Sequence, residues 1–222
     1  MQVTFGDTTL NIHNDHIGNI IRQSKTYYEH HILLKLKEYG FKTIIDIGAN
    51  IGNHSVFFYK EMGATVYSIE PINENYELLL KNTEGYPIKT FQLGISDANG
   101  YMYQSKDISS YKDGNVKNMG MCYLETEGNI EIEVKTVDQF VNDNNIDNIN
   151  LIKIDVEGME QEVLNGSSET LTNQSPYIFI ECQGKLKEGL KDTTNEVKNI
   201  LSKYGYVIEK SFSQRDHLFK KN

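Results

Sequence analysis

The hydrophobic residues of this chain fall into short continuous runs that are separated by stretches of helical spacing. The strongest run, Thr43–Ile47, is rich in β-branched residues, as is typical of a strand buried on both faces of a parallel sheet. A glycine turn follows it, and Ser55–Met62 is predicted to be a helix. The same alternation predicts further strands at 65–69, 88–93, 150–155 and 177–181, and helices at 26–39, 73–82, around 161–164 and at 194–204. This order predicts an α/β fold with a mostly parallel sheet and right-handed crossovers.

Three segments depart from that alternation. Residues 2–12 alternate around Gly6–Asp7 and predict an amino-terminal hairpin. Residues 99–138 contain several glycines and strand-like patches at 101–104, 121–125 and 130–137, so we expect an antiparallel insertion, with the polar stretch 107–119 as a mobile loop. Two short strands, 206–208 and 217–219, predict a terminal hairpin. Because no repeat, linker or low-complexity stretch divides the chain, we expect a single domain over residues 1–222.

Composition narrows the possible partners and compartment. The formal charge of the 222 residues is −9, and arginine occurs only at Arg22 and Arg215. No basic cluster stands out, so we expect no nucleic-acid partner, whereas a small-molecule or carbohydrate partner stays open. No apolar run approaches the roughly 18–20 residues of a membrane span, and no secretory signal is visible. Cys122 and Cys182 lack metal-ligand spacing and are expected to be free thiols, which favours a cytoplasmic protein.

The glycine turn after the first predicted strand is a candidate ligand loop. Gly48 and Gly52 allow the backbone to approach a ligand where a Cβ would obstruct it. The dinucleotide fingerprint, aligned from Gly48, requires glycine at positions 50 and 53, and both are asparagine. The observed pattern, Asp46-x-Gly48-x-x-x-Gly52, is compatible with a different nucleotide or with an ordinary tight turn.

Acidic residues follow the later predicted strands. Glu70 ends the second strand, where its two carboxylate oxygens suit a ribose diol, although a surface acid before a turn is the alternative. Ser96 and Asp97 follow the third strand and suit either an adenine amino group or a plain Asx turn. Asp155, in the acidic stretch that also contains Glu157 and Glu160, and Glu181 are delivered by apolar strands to the edge where ligands of α/β proteins bind. Helix capping explains Glu160 better than it explains Asp155.

Four of these stretches together resemble the FkbM family of S-adenosylmethionine-dependent methyltransferases. They are Asp46-Ile-Gly-Ala-Asn-Ile-Gly52, Ile69-Glu-Pro71, Asn118-Met-Gly120 and, above all, Lys153-Ile-Asp-Val-Glu-Gly-Met-Glu160. The resemblance covers roughly residues 40–185. The first stretch is common to many methyltransferases, and its combination with the others is more specific.

The resemblance implies a Rossmann-like class I methyltransferase fold, with a seven-stranded sheet whose last strand is antiparallel, and O-methylation of a sugar, glycan or natural-product hydroxyl. It also implies S-adenosylmethionine as the cofactor. Its implied cofactor-binding residues are Asp46, Gly48, Ala49, Asn50 and Gly52 on the methionine and ribose side, Glu70 and Pro71 at the ribose hydroxyls, Ser96 and Asp97 at the adenine, and Asp155. Asp155 and Glu157 would face the sulfonium or the acceptor.

An alcohol acceptor must lose its proton, which requires a positioned base. The candidate catalytic residues are Asp155, Glu157, Glu181 and His54, and the sequence does not choose between them. The three acids are also oxygen ligands for a divalent metal, but no spacing demands one, so none is predicted.

Two other functions remain open. An NAD(P)-dependent oxidoreductase is disfavoured by Asn50 and Asn53. A non-catalytic S-adenosylmethionine-binding subunit would keep the fold and partner an active enzyme. Methylation of a nucleobase amino group is disfavoured, because the Asn/Asp-Pro-Pro-Tyr/Phe signature is missing after the fourth strand.

Overall fold

A seven-stranded sheet lies at the centre of the computed structural model, which describes residues 1–104, 124–183 and 192–222 together with the backbone of two short strands at 112–113 and 116–117. The strands are β1 Gln2–Phe5, β2 Thr8–Asn11, β3 Thr43–Ile47, β4 Thr65–Ile69, β5 Lys89–Phe91, β6 Gly94–Ile95, β7 Gly100–Gln104, β8 Lys112–Asp113, β9 Val116–Lys117, β10 Leu124–Glu125, β11 Ile130–Lys135, β12 Leu151–Ile154, β13 Tyr177–Glu181, β14 Tyr206–Ser211 and β15 Asp216–Lys221. The helices are α1 His16–Ser24, α2 His30–Lys37, α3 Asn53–Met62, α4 Asn73–Thr83, α5 Val137–Asp143, α6 Glu160–Asn165, α7 Ser168–Asn173 and α8 Thr194–Ser202.

The strand order of the central sheet is β14-β15-β13-β12-β3-β4-β5. Strands β13, β12, β3, β4 and β5 are parallel to one another, whereas β15 is antiparallel to both β13 and β14. The predicted α/β fold, with a mostly parallel seven-stranded sheet and an antiparallel terminal hairpin, is therefore confirmed. Pairing places Asp46 of β3 beside Lys153 of β12 on one side and beside Ser68 of β4 on the other, so these polar side chains meet inside the sheet.

Each face of the sheet is covered by its own hydrophobic cluster. Side chains alternate along a strand, and in β3 Ile44 joins one cluster while Ile45 and Ile47 join the other. The cluster that contains Ile44 also contains buried residues of α1, α2, α3 and the β1–β2 hairpin. The second cluster contains buried residues of α5, α6, α7 and α8. Burial on both faces explains why β3 is a continuous apolar run.

The amino-terminal region differs in part from the sequence prediction. The predicted hairpin is present, with Gln2 paired to Asn11. Helix α1 was not predicted, and the predicted helix 26–39 begins only at His30. Glu29 explains the late start, because its φ of 54° is left-handed and is incompatible with the interior of a right-handed helix.

The insertion after β5 forms a second sheet of order β10-β7-β11-β6. Strands β7 and β10 pair antiparallel, as do β7 and β11, in agreement with the predicted insertion, whereas β11 pairs parallel with β6. The predicted strand 88–93 is shorter in the structure, where Lys89–Phe91 belongs to the central sheet. Gly94–Ile95, which was not predicted as a strand, belongs to the second sheet. Helices α5 and α7 were not predicted. The predicted loop at 107–119, the Asn118–Gly120 stretch and Cys122 lie outside the described residues, apart from the backbone of β8 and β9.

None of the described helices is both long enough and apolar enough to cross a bilayer.

Candidate active site

A cavity of about 460 Å³ opens at the carboxyl ends of β3, β4, β12 and β13. The carboxyl edge of a parallel sheet is where ligands of α/β proteins bind. The described residues of its wall come from the loops after these strands, from the amino-terminal segment, from the second sheet and from the β14–β15 hairpin. They are His16, Ile17, Tyr28, Glu29, Ile47, Gly48, Asn50, Ile69, Glu70, Pro71, Asn75, Leu93, Gly94, Ile95, Leu124, Asp155, Val156, Glu157, Met159, Glu181, Gln183 and Arg215.

The loop after β3 is fixed against its neighbours by the backbone. The amides of Gly48 and Ala49 both donate hydrogen bonds to the carbonyl of Ile69, at 3.0 and 2.9 Å. Gly48 has a φ of 75°, and a Cβ at this position would overlap the carbonyl oxygen of Asp155. Glycine is therefore required here for two reasons: the left-handed backbone and the close approach of the loop that follows β12.

Glu70 lies at the end of β4, only 4% exposed, with its carboxylate held by the adjacent loops. Its Oε2 accepts a hydrogen bond from the amide of Asn50 at 2.8 Å, and its Oε1 accepts one from the amide of Ile72 at 2.9 Å. Asn75 Nδ2 donates to Oε1 at 3.4 Å. Burial raises the pKa of Glu70 to about 7, although these hydrogen bonds act in the opposite direction. The carboxylate is thus oriented before any ligand binds.

A buried ion cluster lies behind the cavity wall. Lys153 Nζ lies 3.0 Å from Asp46 Oδ1 and 3.5 Å from Asp155 Oδ2, and it donates a hydrogen bond to the carbonyl of Gly48 at 2.8 Å. Ser55 Oγ donates to Asp46 Oδ2 at 2.6 Å and accepts from Ser68 Oγ at 2.7 Å. Burial alone would lower the pKa of Lys153, but the two carboxylates raise it above its usual value. The lysine is therefore charged, and it links the loops after β3 and β12.

Acidic residues dominate the end of the cavity beside β12 and β13. Gln183 Nε2 donates to Glu157 Oε2 at 2.7 Å, and Gln183 Oε1 accepts from Arg215 Nη1 at 3.0 Å. Burial raises the pKa of Glu157 well above its usual value, and the charge of Asp155 adds to the shift. Burial and the same neighbour raise the pKa of Glu181 to about 10. A cationic group in this part of the cavity would relieve the repulsion between these carboxyl groups.

The amino-terminal segment closes the cavity opposite these acids. The side chain of Asn53 clamps the backbone of Tyr28: its Oδ1 accepts from the amide at 3.0 Å, and its Nδ2 donates to the carbonyl at 3.2 Å. The next residue, Glu29, enters the wall, and its Oε2 lies 3.5 Å from Nε2 of the buried His54. Burial lowers the pKa of His54 to about 4, so this imidazole is neutral at physiological pH.

Three of the seven described non-glycine residues with a left-handed φ line this cavity. The non-glycine residues Glu29, Asn50 and Glu157 have φ values of 54°, 51° and 52°, and all line its wall. Asparagine tolerates the left-handed region, whereas glutamate rarely adopts it. Such outliers persist only where the surroundings hold them in place, and they cluster at functional sites.

Comparison with known proteins decides the family of this chain. Residues 46–208 match the methyltransferase FkbM domain. The chain belongs to the FkbM methyltransferase family. This membership argues against an NAD(P)-dependent oxidoreductase and confirms the resemblance inferred from the sequence.

The individual relatives and the solved structure described next are less than 30% identical to this chain. The chain is 28% identical over 138 residues to the hexuronic acid methyltransferase AglP of Haloferax volcanii. This alignment covers 61% of this chain and 54% of AglP. It is 26% identical over 168 residues to the 2-O-methyltransferase NoeI of Sinorhizobium fredii, covering 68% of each. The crystal structure of methyltransferase FkbM from Methylobacillus flagellatus KT superposes with a TM-score of 0.51 at 18% identity, over 81% of this chain and 43% of that one. This structural likeness shows the shared fold.

The structure brings many of the predicted site residues of this FkbM-family chain into one wall. They are Gly48, Asn50, Glu70, Pro71, Asp155, Glu157 and Glu181. Asp46, Ala49, Gly52 and His54 are buried behind that wall. Beside β6 the wall is formed by Leu93, Gly94 and Ile95, and Ser96 and Asp97 lie outside it. The binding and catalytic roles of all these residues stay predictions.

Other wall residues were not predicted from the sequence, among them Tyr28, Glu29, Gln183 and Arg215. Arg215 could have been singled out because arginine is so rare in this chain, but its position at the wall depends on the terminal hairpin. Within the described parts of the chain, no group of three or more histidine, cysteine, aspartate or glutamate side chains is arranged to hold a metal ion.

Proposed function

We propose that this FkbM-family chain is an S-adenosylmethionine-dependent methyltransferase that methylates a hydroxyl group of a sugar, glycan or small natural product. Two relatives support this proposal, since AglP is a hexuronic acid methyltransferase, which supports a carbohydrate acceptor, and NoeI is a 2-O-methyltransferase, which supports methylation of a hydroxyl group. The chain spans only 54% of the length of AglP, so the activity and the acceptor class are proposed for it and not transferred to it.

The pre-oriented carboxylate of Glu70 at the cavity wall is the observation on which this proposal rests. An ionised carboxylate has about four acceptor sites, so the bonds from Asn50, Ile72 and Asn75 leave a site on Oε2 for a hydroxyl group of a ribose. The cavity volume, about 460 Å³, lies within the range of small-molecule and cofactor sites. Pro71, Leu93 and Ile95 provide an apolar wall for the adenine ring, so the residues present fit this cofactor.

When bound, the cofactor supplies an electrophilic methyl group on a positively charged sulfur. Asp155, which is ion-paired with Lys153, would stabilise that charge in the bound state, and the cation would in turn favour ionisation of Glu157 and Glu181 beside it. Because the charge disappears as the methyl leaves, these carboxylates contribute more to binding than to the rate. The remaining work of the protein is to align the acceptor hydroxyl, exclude water and remove a proton.

The proposal is tested first by cofactor binding. Isothermal calorimetry with S-adenosylmethionine is expected to detect binding to the purified chain. In Glu70→Ala the Kd should rise about 10–100-fold, because hydrogen bonds to a charged group contribute about 1.5–3 kcal/mol. Glu70→Gln retains the side-chain shape, so it distinguishes loss of the carboxylate from misfolding of the variant. Glu74→Ala, an exposed glutamate on the next helix, is the matched control and should bind like the wild type. An unchanged affinity in both Glu70 variants would refute the proposed cofactor site.

The second test concerns turnover. Incubating the purified chain with a protein-free cell extract and S-adenosylmethionine should produce a species that is heavier by about 14 Da, as expected for one transferred methyl group. Turnover by this chain alone would exclude a non-catalytic subunit. Binding of the cofactor with no transfer would support that subunit and contradict the enzyme.

A further inference from the structure

The family match begins at residue 46, yet part of the cavity wall comes from residues before it. His16, Ile17, Tyr28 and Glu29 all line the cavity, and Glu29 is the acidic residue among them. The amino-terminal segment therefore adds a carboxyl group to a site whose other acids follow β4, β12 and β13. None of the sequence motifs pointed to this group.

The position of Glu29 is strongly constrained. The two hydrogen bonds between Asn53 and the backbone of Tyr28 fix the preceding residue to the first turn of α3. The left-handed φ of Glu29 then turns its side chain away from the helical path of α2. Its side chain stays 25% exposed while its Oε2 lies 3.5 Å from His54 Nε2. The carboxyl group is thus held at the wall, and it keeps access to solvent.

Charged and titratable groups from several elements surround Glu29. Burial, together with the charges of Asp155 and Asp216, raises the pKa of Glu29 to about 8, and Lys153 partly offsets these effects. A group whose pKa lies near the working pH is well suited to accept a proton during catalysis. The described titratable groups that interact with it are His54 of α3, Lys153 of β12, Asp155, Asp216 of β15, Glu181 of β13 and its neighbour Tyr28.

The other candidate bases are each less suited to the task. Asp155 is already engaged, because its Oδ2 lies 3.5 Å from the buried ammonium group of Lys153. Glu157 accepts a hydrogen bond from Gln183 at 2.7 Å. Glu181, with its pKa of about 10, holds its proton at neutral pH. His54 is buried behind the wall, with Glu29 as its neighbour on the cavity side.

We infer that Glu29 is the catalytic base that accepts the proton of the acceptor hydroxyl group. The inference rests on the proposed function. Glu29 takes the proton as the hydroxyl oxygen forms its bond to the methyl carbon and the methyl–sulfur bond breaks, with that electron pair staying on sulfur. The positive charge of the donor is lost, the carboxylate becomes a neutral carboxylic acid, and the partly exposed side chain then releases the proton to water.

Glu29→Gln tests this role, because it keeps the shape of the side chain and removes the ability to accept a proton. Label transfer from methyl-labelled S-adenosylmethionine into the cell extract is measured between about pH 6 and pH 10 at saturating cofactor, and we expect Glu29→Gln to lower the rate about 10²-fold or more. The wild-type rate should rise with pH through an inflection near pH 8 and reach a plateau at higher pH, and the variant should lose this inflection. Glu29→Asp should retain the inflection at a reduced rate.

Controls separate this inference from the proposed function. Glu38→Gln makes the same substitution at an exposed residue just beyond α2 and should behave like the wild type. Calorimetry should give Glu29→Gln a Kd for S-adenosylmethionine within about threefold of the wild type, as expected for a residue that acts on the rate. Unchanged binding also shows that the variant is folded.

Three results would overturn the role of Glu29. The first is a Glu29→Gln rate within about threefold of the wild type, and the second is an unchanged pH inflection. The third is weaker cofactor binding with an unchanged rate at saturating cofactor, which would mean that Glu29 binds the methyl donor. In each of these cases the wild type still binds and transfers, so the proposed function stands. If the wild type does not bind the cofactor or does not transfer the methyl group, the proposed function fails, and the inference fails with it.

Discussion

Replacing Lys153 with methionine removes the cation of a buried ion pair and leaves a hydrophobic side chain of similar length. The pair that it breaks joins Lys153 Nζ to Asp46 Oδ1 at 3.0 Å, with side-chain exposures of 4% and 0%. The substitution leaves the carboxylate of Asp46 buried without its cation, and the carbonyl of Gly48 loses a donor at 2.8 Å. We therefore expect Lys153→Met to lower the free energy of unfolding and to loosen the loop after β3.

The size of the effect follows from distance and burial. Two unit charges at 3.0 Å attract each other by about 5–6 kcal/mol at an effective dielectric constant of about 20. Desolvation offsets part of this attraction, and removal of one partner of a buried pair costs about 3–5 kcal/mol. Lys37 and Glu61 form an ion pair of the same 3.0 Å length with exposures of 41% and 39%. Lys37→Met is the matched control, and we expect it to cost at most about 1 kcal/mol, as is usual for exposed pairs.

Urea denaturation of the two variants and the wild type measures these free energies. Asp46→Asn completes a double-mutant cycle, and Lys153 and Asp46 should show a coupling energy of about 1–3 kcal/mol. The hydrogen bond from Ser55 to Asp46 is common to the wild type and Lys153→Met, so it cancels in that comparison. A Lys153→Met loss below about 1 kcal/mol, equal to that of Lys37→Met, would refute the claim that burial makes this pair important. A coupling energy of zero would refute it as well.

Two further predictions concern the loop after β3 and the acids of the wall. In urea titrations, Gly48→Ala should lower the free energy of unfolding by about 3 kcal/mol or more, because the added Cβ overlaps the Asp155 carbonyl. The control is Gly40→Ala, where φ is a similar 69° but nothing lies within 4 Å of the added carbon, and it should lower the free energy of unfolding by only about 1 kcal/mol. Equal losses would contradict the steric argument. The pKa of Glu181, about 10, lies above its unfolded value, so the folded state binds the proton more tightly and loses stability as pH rises between about 4.5 and 10. Glu181→Gln removes this loss and should gain about 0.5–2 kcal/mol relative to the wild type between about pH 5.5 and pH 8.5 in thermal unfolding, and an unchanged difference would contradict the shift.

Local patterns were sufficient for the main strands and for the family. A continuous β-branched run such as Thr43–Ile47 is determined by local chemistry, because only a strand covered on both faces buries all of it. Gly48, Glu70 and Asp155 were singled out because each follows such a strand directly. The carboxyl ends of parallel strands meet at one edge, so the order of the elements alone predicted that these residues would converge.

The positions of other residues depended on contacts between distant parts of the chain. Asp46 was predicted to line the methionine and ribose portion, but the register of β3 beside β12 places Lys153 next to it, and the carboxylate is buried behind the wall. A register of this kind follows from how whole strands pack, and the residues on either side of Asp46 do not reveal it.

The position of Glu29 at the cavity also could not be predicted from its neighbours in the sequence. Its neighbours predicted a helix, and only the hydrogen bonds from Asn53 to Tyr28 explain why the chain turns into the left-handed region and directs a carboxyl group to the cavity. The sequence by itself determined the fold, the family and the acids that end the strands, since these follow from local periodicity and motif spacing. The tertiary structure alone decided which carboxyl groups face the cavity and which are buried beside a lysine. Desolvation and ion pairing depend on residues that are distant in sequence, and these two effects set the charge of each group.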